Sequence, residues 1–256
     1  MKHVVHFSGG VGSWCAAMRV AATEGTSDMT LLFADTMMED EDLYRFIDEG
    51  AEAVGVPITR IADGRTPWEV FFDVRYLGNT RADPCSRILK RELLDRWRNE
   101  NCTPEDSIRY IGIDWSEQHR LRRLQDRCKP WRYEAPMCEK PYLTKQGMFT
   151  KLKRHGIKLP RLYEMGFPHN NCGGFCIKAG QGQFKLLLQE MPERYAFHES
   201  QEELIREKLG DVAILRDRTG GTTKSLTLRE FRRRIECDDT KQLDLFEWGG
   251  CGCAIS

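Results

Sequence analysis

Cys172 and Cys176 stand in the stretch HNNCGGFC, separated by Gly-Gly-Phe. Glycines between two cysteines let the backbone turn sharply enough for both thiols to face one metal ion or cluster. A third cysteine, Cys85, opens the segment PCSRILKRELLDRWRNE (84–100). A thiol in the first turn of a helix meets the positive end of its dipole, which favours the thiolate. Two more, Cys251 and Cys253, lie in the glycine-flanked tail FEWGGCGCAIS. A mobile tail of that composition can swing a thiol toward a bound substrate. The other chemistry-bearing stretch is FSGGVGSW (7–14), where Ser8, Gly9, Gly10, Val11, Gly12 and Ser13 form a turn of small residues. Such a turn between a strand and a helix exposes backbone N–H groups at a helix N-terminus, and phosphate is its natural guest. It lacks the lysine of GxxxxGK[ST], which argues against a Walker-type nucleotide hydrolase.

The elements that must hold these residues follow a regular order. HVVHF (3–7), MTLLFAD (29–35) and VPITRIA (56–62) read as strands, and 13–23 and 40–55 as the helices between them. That alternation predicts right-handed crossovers and a parallel sheet. Asp35 then falls at the C-terminal edge of the sheet, where it can accept from a nucleoside or help hold a metal. Residues 84–100 predict a helix with Ile88, Leu89, Leu93, Leu94 and Trp97 on its apolar face, 107–113 a fourth strand, and 116–127 a basic helix. Asp114, Glu117 and Arg120 project from the end of that fourth strand toward the crevice, while Arg87 and Lys90 are placed to pair with sulfate or phosphate. The proline-rich stretch 128–168 predicts loops around one helix near 145–154. Helices at 181–191 and 200–210, a hairpin-like turn and a short helix complete the reading.

Lysine plus arginine and aspartate plus glutamate both number 39, so no global field draws the chain to nucleic acid or membrane. The basic runs at 119–132 and 151–161 read as solvated faces before they read as a backbone-binding patch. No apolar run approaches the roughly 20 residues that span a bilayer, and the first residues do not resemble a signal peptide, so a cytoplasmic protein without a membrane partner is expected. Ten cysteines are more than packing needs in a reducing compartment. Cys15 reads as a small core residue, and Cys102 and Cys237 carry no assignment.

SGGVGS (8–13), FADT (33–36) with Glu39, YRFIDE (44–49), PCSRILK (84–90), GIDWSEQHR (112–120) and GFPHNNCGGFC (166–176) together resemble the 3′-phosphoadenylyl-sulfate (PAPS) reductases and the related PP-loop adenine nucleotide α-hydrolases. The resemblance covers about residues 3–190. It implies an α/β fold, a doubly wound, five-stranded parallel sheet of Rossmann-like kind, with residues 191–256 as a helical and hairpin extension ending in the cysteine-containing tail. It implies an adenine nucleotide (PAPS, adenylyl sulfate or ATP) on residues 8–13 with Asp35 near the nucleoside, and substrate contacts from Glu117 and Arg120. It also implies a [4Fe–4S] cluster on Cys85, Cys172 and Cys176, with Cys138 or Cys128 as the fourth ligand or an open iron; zinc, completed by a ligand such as His169, is the alternative. A thiol reductant or sulfur-donor protein would be the partner. Two reactions stay open: reduction of an adenylyl sulfate with Cys251 or Cys253 as nucleophile, and ATP-dependent thiolation of a nucleic acid. A third reading is a non-catalytic nucleotide- or nucleic-acid-binding module with a structural metal. The chain departs from the pattern at Gly12, where members that activate substrates with ATP carry aspartate, a departure that favours nucleotide binding over ATP cleavage, and at Pro84, where a second cysteine would stand.

Overall fold

The computed structural model describes residues 1–78, 82–218 and 221–237. Its centre is a five-stranded sheet in the order β3-β2-β1-β4-β5, with every neighbouring pair parallel. β1 (Lys2–His6) is followed by α1 (Val11–Glu24), β2 (Met29–Asp35) by α2 (Glu41–Val54), and β3 (Ile58–Ala62) by α3 (Pro67–Asp73). β4 (Ser107–Tyr110) returns beside β1, in register His3↔Ile108 and Val5↔Tyr110, and β5 (Arg132–Glu134) pairs outside it. The strand order therefore reverses between β1 and β4, the switch point where doubly wound sheets open a crevice at their carboxyl ends. The turn 7–10 leaves β1 at that point.

Burial explains why β1 and β2 are nearly continuous apolar runs. Val5, Phe7, Leu31 and Phe33 join Trp14, Ala17, Leu43 and Phe46 in one core under α1 and α2. Val4 and Leu32 point the other way, onto Leu94 of the 84–101 helix. Both faces of the sheet are covered, as parallel sheets require. On the second face Arg109 is 1% exposed, with its guanidinium between the rings of Trp131 and Tyr133 at 4.4 and 4.8 Å.

The 84–101 segment is one continuous helical rod of three pieces: α4 (Pro84–Ser86), a π-helical stretch Arg87–Glu92, and α5 (Leu93–Asn101). α6 (Gln118–Arg127) and α7 (Lys145–Arg154) fall where the periodicity put them, and α8 (Arg161–Glu164) is added. α9 (Gln181–Glu190) leads directly into α10 (Pro192–Leu209), which starts eight residues earlier than the apolar pattern indicates. The hairpin is present as β6 (Leu215–Asp217) and β7 (Lys224–Leu226), antiparallel, followed by α11 (Leu228–Glu236). Trp68, Phe71, Leu162, Phe175 and Phe184 pack with Tyr195, Ile205, Leu226 and Phe231 in a second core. That core crosses residue 190, so the described part of the extension is built into the same packing as α3 and the CGGFC turn. Buried Glu202 ties it down by accepting from the Ile214 and Leu228 amides at 2.8 and 2.6 Å.

Candidate functional site

The turn after β1 is shaped by its own small residues and by the chain laid across it. Gly9 has φ +77°, and a Cβ there would sit 2.8 Å from Leu43. Gly10 caps α1, and the Ser13 hydroxyl donates to the Gly10 carbonyl at 2.8 Å, with Ser8 Oγ at 3.4 Å from Ser13 Oγ. The Val11 amide donates to the Tyr163 hydroxyl at 3.3 Å, and Asn170 Nδ2 donates to the Gly9 carbonyl at 2.8 Å. Gly12 has a steric cause: a Cβ there would lie 2.5 Å from the carbonyl oxygen of Gly112, just beyond β4. Gly112 is constrained in return, since its own Cβ would meet Ser13 at 2.5 Å. Helix α1 and the end of β4 touch backbone to backbone, and no aspartate fits at position 12 without displacing one of them.

Asp35 ends β2 fully buried. Its Oδ1 accepts from the Met37 amide at 2.7 Å and the Tyr44 hydroxyl at 3.1 Å, and Arg60 forms an ion pair with Oδ2. These contacts shape the loop 36–39, in which Met37 takes φ +57°. The loop delivers Glu39 to the interior: its Oε1 accepts from the Thr36 hydroxyl at 2.9 Å and lies 3.6 Å from Lys90 Nζ, while Oε2 accepts from the Cys172 amide. Glu39 stands three residues after the FADT stretch, but nothing in its type or spacing announces that it buttresses a cysteine 133 residues away.

The three sequence-designated cysteines converge. Cys85, Cys172 and Cys176 line one small cleft together with Thr36, Met38, Asp83, Ser86 and Lys90. The glycines between Cys172 and Cys176 make this possible, for Cys172, Gly173 and Gly174 are three successive residues at positive φ, +52°, +58° and +83°. A Cβ at Gly173 would meet Arg194 Nη1, whose guanidinium donates to the Gly173 carbonyl at 2.8 Å. Cys138 and Cys128 are elsewhere. The Cys138 thiol donates to the Asp114 carbonyl at 3.2 Å and packs with Ile111, Ile113 and Leu124, where burial, then the charges of Asp114 and Glu117, push its pKa up. Cys128 lines a different cleft, and His169 is exposed. Glu117 and Arg120 are paired with each other beside Cys138, at the β4 edge of the crevice.

Arg87 and Lys90 part company. Lys90 faces the cysteine cleft, whereas Arg87 is half exposed, pairs with Glu92 at 2.7 Å, and lines a 300 Å³ cleft on the other side of the helix with His6, Arg91 and Arg127. Burial, then Arg109 and Arg98, push the His6 pKa down to about 3, so its imidazole is neutral there. Cys251 and Cys253 lie outside the described residues.

The cysteine cleft has a volume of about 20 Å³, room for a single water rather than for four irons and four sulfides. Among the described residues no three His, Cys, Asp or Glu side chains are spaced to hold a metal ion. The donor chemistry suits iron–sulfur or zinc, but the thiols as arranged do not fit either group, and no step is assigned to one.

Fold and geometry define a doubly wound α/β protein with a glycine-rich turn at the switch point and a cysteine cleft at the neighbouring β2 edge. No family model matches the chain, and no curated protein matches it. Among solved structures it is similar to a phosphoadenylyl-sulfate (PAPS) reductase from Candida auris in complex with phosphate, at 12% identity over 65% of this chain and 77% of that one, with a TM-score of 0.43. The fold class rests on the strand order and parallel register, not on that likeness. No helix among the described residues is long and apolar enough to cross a membrane.

Proposed function

We propose that the chain is an enzyme that binds an adenine nucleotide on residues 8–13 and carries out thiol-dependent sulfur chemistry on it, in the manner of an adenylyl-sulfate reductase. The observation that carries this reading is the convergence of Cys85, Cys172 and Cys176 on one cleft also lined by Lys90, which pairs with Glu39. Three thiols beside a buried ammonium suit an oxyanion of sulfur held at the mouth of the cleft, whose interior has room only for a water. In the proposed reaction a cysteine thiolate, from Cys251 or Cys253, attacks the sulfur of the adenylyl sulfate. A bond forms between the two sulfurs, the S–O bond to the nucleotide breaks, and the nucleotide leaves with the electron pair. A thiol of the reductant protein then attacks the cysteine sulfur, sulfite leaves, and a second thiol completes a disulfide, so two thiols supply the two electrons.

Gly12 bears on the alternative. The glycine is required by the approach of Gly112, so the missing acid does not by itself report which reaction is run. ATP-dependent thiolation of a nucleic acid is therefore the second reading. Protein prepared without oxygen, incubated with a dithiol and either an adenylyl sulfate or ATP, separates the two. The proposal expects sulfite and nucleotide in equal amounts. Pyrophosphate from ATP with no sulfite from any adenylyl sulfate would replace it with the second reading. Iron and acid-labile sulfide measured on the same preparation test the cluster expected from the sequence.

A further inference from the structure

A large cleft lies apart from the nucleotide turn. It has a volume of about 700 Å³ and runs between the loop after β2, helix α8 and the start of α10. Its deepest polar group is His198, 1% exposed. Trp68 Nε1 donates to His198 Nδ1 at 2.9 Å. An indole nitrogen can only donate, so Nδ1 must accept and the proton of the neutral ring sits on Nε2. Burial, then Arg194, push the His198 pKa down to about 3, which keeps the ring neutral. The ring is held flat by Phe175, stacked at 3.9 Å and 14°. Nε2 has no partner among the described residues, and a buried donor left unpaired costs about 1–3 kcal/mol. The site calls for a hydrogen-bond acceptor opposite His198.

The remaining walls narrow its chemistry. Met38, Met165 and Met191 supply adaptable apolar surface, and Phe197 stands 48% exposed beside the cleft. Arg161 and Arg194 both approach the single carboxylate of buried Asp40, at 2.8 and 3.2 Å, which leaves one positive charge in excess. The second buried acid, Glu39, is offset by Lys90, and Glu190 and Glu193 stand out at the solvent rim. The cleft thus joins an apolar, partly aromatic slot to a buried donor and a cationic end.

From this arrangement we propose a second ligand site here, one that takes a planar heterocycle with a ring acceptor joined to an anionic group, a nucleoside monophosphate being the simplest example. The acceptor meets His198 Nε2, the heterocycle lies among the methionines against Phe197, and the phosphate faces Arg161 and Arg194. The assignment does not depend on the sulfur chemistry proposed above, since no residue of the nucleotide turn lines this cleft.

Titration of the full chain, ¹⁵N-labelled at histidine and ¹³C-labelled at the methionine methyls, tests it with AMP, GMP, CMP and UMP, and with inorganic phosphate as control. At least one nucleotide is expected to shift the His198 Nε2 signal saturably and to give ring-proton contacts to the Met38, Met165 or Met191 methyls. Phe197→Ala, a change at an exposed residue, should weaken that binding about tenfold through lost stacking. Absence of methyl contacts at millimolar nucleotide, an equal His198 shift with phosphate alone, or unchanged affinity in Phe197→Ala would each overturn the assignment.

Discussion

Gly12 and Gly173 are fixed by what touches them. At Gly12 the obstacle is backbone, the Gly112 carbonyl, which cannot rotate away as a side chain can. Gly12→Ala should cost about 1–3 kcal/mol in urea unfolding. Gly173→Ala combines a φ of +58° with a collision against Arg194, and should cost about 2–3 kcal/mol while loosening the Cys172 turn. Both glycines are visible in the sequence, and a tight turn can be read from either. Their partners are not, because Gly112 and Arg194 lie 100 and 21 residues away along the chain. The same distance hid the buttressing of Cys172 by Glu39, although all three cleft cysteines were legible as a set.

Among the elements, the π-helical stretch Arg87–Glu92 decides which basic residue serves the cleft. Its wider turn sends Lys90 inward to Glu39 and leaves Arg87 outside with Glu92. Lys90→Met would strand the buried Glu39 carboxylate and should cost about 3 kcal/mol. Arg87→Gln loses an exposed pair and should stay within about 1 kcal/mol in the same unfolding assay. The long, strongly patterned elements were readable: β2 and α7 have the bounds their periodicity gave. β5 was not read from pattern, because only Tyr133 of its three residues is buried and no alternation can show. The apolar pattern starts α10 late because the inner face of the helix carries His198, Glu199 and Glu202 beside Tyr195 and Ile205, so burial there does not follow hydrophobicity. α3 carried an unused signal, Thr66-Pro-Trp-Glu69, which forms a full capping box.

Across the whole molecule, buried titrating groups set the pH response. His6 and His198 have folded pKa values lowered to about 3 from 6.5, so their contribution to stability is full above pH 6.5 and lost as pH falls through that window. Glu202 runs the other way: burial raises it from 4.5 to about 7, so its contribution is full below pH 4.5 and lost as pH rises toward 7. Between pH 4.5 and 6.5 unfolding takes up about two protons at the histidines and releases about one at Glu202. From these three groups, stability should fall by about 1.4 kcal/mol per pH unit on acidification, read from urea midpoints.

The joint role of Cys85, Cys172 and Cys176, which position a nucleotide-bound sulfur group for the thiol of Cys251 or Cys253, is the core of the proposal. It is tested most directly by sulfite release from an adenylyl sulfate under a dithiol, compared among the wild type, the single serine variants of these cysteines, and Cys138→Ser. Thermal unfolding of each variant reports whether it is folded. The account predicts that each folded cleft variant loses at least about tenfold in rate while Cys138→Ser, whose thiol lies outside the cleft, keeps wild-type turnover. Folded Cys85→Ser, Cys172→Ser and Cys176→Ser proteins that release sulfite at the wild-type rate would contradict it.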